Sequence, residues 1–317
     1  MKLYILDPIH IDAVSFLRES VPQIDVILWS DQDAAHWVDD ADGIIVRASK
    51  VTGEKILSAK NLKVIGKHGV GYDKIDTAVM KEKGIALINT PYENSNSVAE
   101  LAVAQMLACT RNILLGSQIV KTGRWKDKGK LVSVELYGKA AGFVGYGHIA
   151  RKVAKILQDA FHTVSFAYDP LIQAERWKDF VPAVTPCNSL NELFSKCDIL
   201  SIHVPKTPAT MNMISDGQLN AVKPGAILVN TARGGVVDET ALYNALKEGK
   251  LMAAASDVFA KEPPNRENPL FSLPNFIPTP HVGGSTVEST RRVAMAVAGE
   301  TAAFLLGKGN PLYRVQL

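Results

Sequence analysis

Three side chains in this 317-residue sequence are of the right types to handle a carboxylate and a proton together: Arg233, Glu262 and His281. Arg233 stands in the run Asn230-Thr231-Ala232-Arg233-Gly234-Gly235, just past an apolar segment that reads as a buried strand, with glycines beside it that let a ligand approach. A planar guanidinium can grip a carboxylate with two parallel hydrogen bonds and polarise an adjacent carbonyl. His281 sits in Pro280-His281-Val282-Gly283-Gly284, and an imidazole, titrating near neutrality, can pass a proton to and from a hydroxyl. Glu262, ahead of Pro263-Pro264, is the carboxylate available to fix the imidazole tautomer. Taken singly, a loop arginine is ordinarily a surface residue, a lone histidine a packed one, and a glutamate before prolines a solvated charge.

A second motif offers a place for a dinucleotide. Gly145-Tyr146-Gly147-His148-Ile149-Ala150 follows an apolar run and leads into helical spacing through Leu157. In a dinucleotide fold the first glycine makes the turn and the second lets the backbone approach a pyrophosphate. The third position needs a small residue, here Ala150, so that helix and strand can pack. The helix N-terminus adds free N–H groups and a positive dipole end. Alone, such a glycine pattern is weak. It gains weight from Asp169, 19 residues beyond Ala150 at the end of the next apolar run. A carboxylate there accepts hydrogen bonds from the adenosine ribose hydroxyls and repels a 2′-phosphate, so NAD is expected over NADP. The plain reading of Asp169 is a turn residue before Pro170.

These loops need elements to carry them. Short apolar runs at 3–6, 25–28, 43–46, 62–66 and 85–88 alternate with amphipathic stretches such as 11–19 and 76–83, the rhythm of a parallel sheet covered by helices on both faces. A second alternation places strands near 140–144, 163–167, 198–204, 226–230, 252–258 and 276–277. Between them, Ser97 followed three residues later by Glu100 has the form of a capping box, and the apolar stretch after it predicts one long helix to about 115. The last helical stretch, 285–306, follows the completed second sheet. The expected organisation is therefore α/β with two doubly wound parallel-sheet domains: 1–97 with 283–317 as a substrate domain, and 98–282 inserted as the cofactor domain. His203 ends a buried strand, where it either lines the cofactor cleft or packs in the core.

Composition narrows the function classes. With 47% hydrophobic and 21% charged residues the chain has ample core, and a formal net charge of +3 on scattered lysines and arginines gives no nucleic-acid footprint. No apolar run reaches the length of a membrane span or a secretory leader, so neither is expected. Cys109, Cys187 and Cys197 are odd in number and lack CxxC spacing, which suits a reducing, cytoplasmic compartment. The seven histidines show no paired ligand spacing, so no metal is expected.

Taken in order, residues 145–150, Asp169, 230–235, Asp257-Val258-Phe259 through Glu262-Pro263, and His281 with Gly283 form a pattern that resembles the D-isomer-specific 2-hydroxyacid dehydrogenase family over essentially the whole chain. That resemblance implies a Rossmann NAD-binding domain inserted into a flavodoxin-like substrate domain. It implies that Arg233 binds the substrate carboxylate, that His281 is the general acid/base and that Glu262 is its partner. Asp257 would hold the nicotinamide carboxamide. Thr231 and Ala232 would line the cofactor, together with Tyr146, His148 and Ile149 of the glycine loop. In the N-terminal part, Lys67-His68-Gly69-Val70-Gly71-Tyr72-Asp73 looks like the substrate loop, whose Val70 and Gly71 amides meet the carboxylate, and Arg47-Ala48-Ser49 looks like a second loop facing the substrate.

Within the family the sequence is most similar to the D-3-phosphoglycerate dehydrogenase branch, in a short form without a regulatory domain. Arg47, Lys67 and Arg124 are cations available for a distal phosphate or sulfonate. Lys67 and His68 stand where that branch commonly has arginine and a small residue, so hydroxypyruvate, glyoxylate and sulfolactate stand beside 3-phosphoglycerate as substrates. Glu262 argues against formate dehydrogenase relatives, which do no proton chemistry. A non-enzymatic, NAD-sensing corepressor on the same scaffold is the alternative of a different class. The segment 121–136, with Trp125 among lysines, resembles the family's dimerisation arm and implies a homodimer.

Overall fold

The computed structural model describes residues 1–310 and 312–317. The chain forms two compact units: Met1–Ser95 with Gly284–Leu317, and Asn96–Gly283, the second inserted into the first.

In the first unit five parallel strands, β1 (Lys2–Ile5), β2 (Asp25–Leu28), β3 (Gly43–Val46), β4 (Val64–Lys67) and β5 (Ala86–Ile88), lie in the order β2-β1-β3-β4-β5. Strand side chains alternate in direction, so each central strand feeds two cores. Leu3, Ile5 and Ile45 meet the helices Ile11–Ser20 and Val287–Leu305 through Leu17, Ala294 and Val297. Tyr4, Ile44 and Val46 face the opposite way, onto Trp37, Ile56 and Met80. This is why these strands read as unbroken apolar runs.

The second unit holds β6 (Ala140–Val144), β7 (Val164–Tyr168), β8 (Thr185–Pro186), β9 (Ile199–Ile202), β10 (Ala226–Asn230), β11 (Leu251–Ser256) and β12 (Phe276–Pro278). All are parallel, in the order β8-β7-β6-β9-β10-β11-β12. The direction of build reverses between β6 and β9. Ligands of open α/β sheets bind at the carboxyl ends of the strands beside such a reversal.

Three elements differ from expectation, the first being the short edge strand β8, which had not been expected. The first sheet gains an antiparallel edge strand, β13 (Arg314–Val315), paired with β5. The apolar stretch after residue 95 is two helices, Ser95–Thr110 and Ile113–Lys121, bent by 60°. Asn112 at the break has a left-handed backbone, φ 50°, which an α-helix cannot absorb. Ser97 lies inside the first of these helices and does not cap it. Its hydroxyl instead donates to the carbonyl of Gly283 at 2.6 Å. Among the described residues no single helix is long and apolar enough to cross a membrane.

Candidate active site

The cofactor and catalytic candidates of the second unit follow the carboxyl ends of strands: Gly145 after β6, Asp169 after β7, His203 after β9, Thr231 after β10, Asp257 after β11 and His281 after β12, whereas Arg124 follows the helix Ile113–Lys121. The sheet therefore gathers onto one edge residues that are far apart in sequence.

The glycine loop has the backbone its sequence calls for. Gly145 has φ +82°, and a Cβ there would sit 2.9 Å from the His203 carbonyl oxygen, so only glycine fits. A Cβ on Gly147 would meet nothing within 4 Å, which leaves the approach to the helix His148–Phe161 open to a phosphate. Ala150 is fully buried under the sheet. Asp169 braces the loop: one carboxylate oxygen accepts from the Tyr146 amide and the other from the Leu171 amide, each at 3.0 Å. A carboxylate offers about four acceptor positions, so capacity remains for ribose hydroxyls. His148 is exposed, its Nδ1 3.2 Å from Arg151. Burial, with Arg151 and Lys152 nearby, holds its pKa below the usual histidine value.

The surroundings of two expected cofactor residues define what each can offer. Tyr146 contributes only its backbone to the loop. Its ring is 1% exposed and packs among Phe143, Trp177 and Phe180, and burial pushes the phenol up to about 12. His203 is half-buried at the end of β9. Its Nε2 lies 2.8 Å from Ser201 Oγ, its ring leans on Phe143, and burial pushes it down to about 3.

The turn after β10 is stapled by Asn230. Its Oδ1 accepts from the Ala232 amide at 3.0 Å and its Nδ2 donates to the Arg233 carbonyl at 3.1 Å. Arg233 is half-buried and donates to the Ala232 carbonyl at 2.7 Å. Next to it, a Cβ on Gly234 would lie 1.7 Å from the Phe259 carbonyl oxygen, so the arginine turn presses directly on the strand end that leads to Glu262. Thr231 is 8% exposed, and its buried hydroxyl has no hydrogen-bond partner among the described residues. An orphaned hydroxyl at a strand's carboxyl end, on the same edge of the sheet as the glycine loop, fits a polar ligand such as a dinucleotide.

His281 and Glu262 meet, with Nδ1 2.8 Å from Oε2. Burial alone would raise the Glu262 carboxyl. Hydrogen bonds from His281 and from the Phe259 amide, with Arg233 nearby, outweigh it and leave the pKa below the usual glutamate value. Glu262 therefore stays ionised and fixes the proton-bearing nitrogen of the ring, leaving Nε2 for a reacting oxygen. His281 has a left-handed backbone, φ 54°, a conformation that persists only where the surroundings enforce it.

Asp257 supplies that enforcement. It is 1% exposed. Its Oδ1 accepts from the Thr279 hydroxyl at 2.6 Å and the Val282 amide at 2.9 Å, and its Oδ2 accepts from the Gly283 amide at 2.8 Å. Its own carbonyl accepts from the His281 amide at 2.8 Å. Three of its four acceptor positions thus bind the His281 loop, and the expected contact with a carboxamide has at most one left. Gln105 holds the same loop from the preceding helix by donating to the Thr279 hydroxyl at 2.9 Å. Ser97, Gln105 and Thr279 were not among the expected site residues: a polar residue inside an apolar helix, as Ser97 and Gln105 are, carries no sign of which loop it meets, and Thr279 lies in the His281 loop itself.

The first unit has its own cationic loop. Asp7 accepts from the amides of Arg47, Ala48 and Ser49 and from the Ser49 hydroxyl, at 2.6 to 3.0 Å. Lys67 Nζ donates to the carbonyls of Arg47 and His68, each at 2.8 Å, so the ammonium ties two loops together. Val70 and Gly71 are half-exposed, and their loop is secured by Asn89 on the Val70 carbonyl and Thr90 on the Gly69 amide, each at 3.0 Å. Among the described residues no group of three or more metal-ligating side chains occurs.

Comparison with known proteins agrees with this geometry. Residues 103–283 match the D-isomer specific 2-hydroxyacid dehydrogenase NAD-binding domain. The chain is 42% identical over 310 residues to D-3-phosphoglycerate dehydrogenase of Methanocaldococcus jannaschii, covering 97% of this chain and 58% of that one. It thus spans a little over half the length of that relative. It is 40% identical over 299 residues to hydroxypyruvate reductase of Thermotoga maritima, covering 93% of this chain and 95% of that one. In structure it resembles D-lactate dehydrogenase of Aquifex aeolicus, solved with NAD and lactic acid, with a TM-score of 0.82 at 28% identity, over 97% and 96% of the two chains. The chain belongs to the D-isomer specific 2-hydroxyacid dehydrogenase family, and residues 103–283 are its NAD-binding domain.

Proposed function

We propose that the protein is an NAD-dependent oxidoreductase that interconverts a small D-type 2-hydroxy acid and its 2-oxo acid. The observation that carries this reading is the 2.8 Å contact between His281 and an ionised Glu262 in the unit that holds the dinucleotide loop. Such a pair is suited to moving a proton, which sensing a nucleotide does not require. NAD fits the loop through Gly145, Gly147, the helix N-terminus at His148 and the Asp169 carboxylate, and the chemistry it supplies when bound is hydride transfer at carbon 2. Arg233 grips the substrate carboxylate and polarises the carbonyl. His281 Nε2 holds the proton that the 2-oxygen gains in reduction and loses in oxidation, while Glu262 steadies the ring.

The substrate lies among hydroxypyruvate, glyoxylate and acids with a distal anion such as 3-phosphoglycerate or sulfolactate. Lys67 is held by two carbonyls, so Arg47 is the cation whose removal tests a distal anion. NADH oxidation against hydroxypyruvate, its phosphate, sulfopyruvate, glyoxylate and pyruvate, with NADPH in parallel, tests the reading. Preference for one acid with NADH supports it. Silence across the panel with NADH binding intact refutes it in favour of an NAD-sensing binding protein.

We also infer a homodimer in a reducing, cytoplasmic compartment. Ile113, Leu114, Trp125, Val132 and Tyr137 are all more than half exposed along one stretch of chain, and large exposed apolar side chains gathered in this way suit a surface that a second copy covers. The three cysteines are free and buried. Sedimentation as a monomer would refute the dimer.

A further inference from the structure

The helix Glu239–Lys247 starts soon after the Arg233 turn, and Asp238 caps it by accepting from the Thr240 and Ala241 amides, each at 2.9 Å. A glutamate in a first helical turn ordinarily faces water and serves the helix dipole. Glu239 does something else. Its Oε1 accepts from the amide of Ala260 at 2.7 Å and its Oε2 from Nδ2 of Asn268 at 2.8 Å. Ala260 and Asn268 are the two feet of the turn that carries Glu262. Asn268 Oδ1 at the same time accepts from the Leu270 amide at 3.1 Å, so the far foot is fixed on both sides. Glu239, Gly234 and Phe259 also line one small cavity of about 10 Å³, which places Glu239 against both the arginine turn and the glutamate turn.

The turn has little else to hold it. Residues 260–267 are exposed apart from the half-buried Pro264. A segment without buried side chains depends on hydrogen bonds at its ends for its conformation. Phe259, whose amide donates to Glu262 at 3.1 Å, precedes Ala260, so fixing Ala260 also aims the amide that meets Glu262.

We propose that Glu239 is a positioning residue: it clamps both feet of the 260–268 turn and thereby keeps the Glu262 carboxylate on Nδ1 of His281. The inference rests on reading His281 as the proton-handling group. Glu239 touches neither substrate nor cofactor and acts only through Glu262.

The test uses three variants of the full chain: E239A, E239Q and the double variant E239Q/N268D. In E239Q the amide oxygen can still take the Ala260 amide, but its nitrogen faces the Asn268 nitrogen, donor against donor. N268D turns that partner into an acceptor and keeps an oxygen for Leu270. Turnover with NADH and the best 2-oxo acid, the NADH dissociation constant, and the titration of the Glu262 carboxylate by carbon-13 NMR, assigned by its loss in E262Q, are measured for each. In E239A and E239Q turnover falls roughly tenfold, NADH binding stays within about twofold, and Glu262 titrates at higher pH because it loses its bond from His281. E239Q/N268D regains most of the turnover and the titration of the parent. Unchanged turnover and titration in E239A would overturn the inference, as would a loss that N268D does not recover or one that comes with lost NADH binding. The carboxylate titration needs no turnover. A parent protein silent on every 2-oxo acid would therefore refute the enzymatic reading, while the NMR arm would still decide whether Glu239 sets Glu262.

Discussion

Replacing Asp257 by asparagine should cost both stability and turnover. Asp257 is buried to 1% exposure and accepts from Thr279, Val282 and Gly283 at 2.6, 2.9 and 2.8 Å. Asparagine keeps the shape but has one oxygen, so at least one of these donors must face an NH2 group. A hydrogen bond to a charged acceptor contributes about 1.5–3 kcal/mol, and a buried donor left unpaired costs about 1–3 kcal/mol. His281, held at φ 54° by this loop, would relax when released, and that offsets about 1–3 kcal/mol of backbone strain. The net expectation is a loss of about 1.5–3 kcal/mol in urea denaturation. Because relaxation carries the imidazole off Glu262, turnover should fall roughly 10²-fold, as for loss of the histidine itself. Denaturation followed by tryptophan fluorescence, with NADH oxidation on the same samples, reads both quantities. A D257N protein within about 0.5 kcal/mol of the parent and with parental turnover would show that the carboxylate does not hold the loop.

Other expectations concern the same edge of the sheet. His281→Ala should lower turnover roughly 10²-fold or more with NADH binding nearly intact; undiminished turnover would remove His281 from the mechanism. Gly234→Ala must displace the Phe259 backbone, which a Cβ would approach to 1.7 Å, so its denaturation midpoint should drop together with turnover, and a parental midpoint would contradict the packing. His203 is pushed down to about 3 by burial, and His68 to about 4 by burial with Arg47 and Lys67 beside it. Both folded pKa values lie below the unfolded one, so below pH about 6.5 the unfolded chain takes up protons that the folded protein refuses. Stability should fall as the pH drops from about 6.5 toward 4, by up to about 1.4 kcal/mol per histidine per pH unit. His203→Asn should flatten that slope between pH 7.5 and 5.5, and an equally steep variant would mean that this histidine charges freely.

The strands were legible because the inner strands of covered parallel sheets are almost pure apolar runs, such as Gly43–Val46 and Ala226–Asn230. The loop residues were legible because the order of strands fixes where each loop must emerge. Hydrophobicity did not show the break at Asn112, since the helices before and after it are both largely apolar and one polar pair, Arg111-Asn112, can also lie on an exposed helix face. Ser97 and Glu100 have capping-box spacing, yet the helix begins at Ser95: spacing names a candidate, and where the chain starts to coil decides it. Asp257 and Tyr146 were marked by position, but their burial shows what they do. Asp257 spends its oxygens on its own chain and Tyr146 buries its ring. Glu239 left no trace in the sequence, because its partners are 21 and 29 residues away and nothing local marks a glutamate as a clamp.

The contact of Gly234 with Phe259 joins the arginine turn to the glutamate turn within one folding unit. Arg233, Glu262 and His281 are inherited together, on a single stretch of 49 residues, counting 233 to 281. The hydrogen bonds that hold the acid–base pair, from Phe259 to Glu262 and from the His281 loop to Asp257, are likewise all made inside the second unit, so its own folding is enough to assemble the pair.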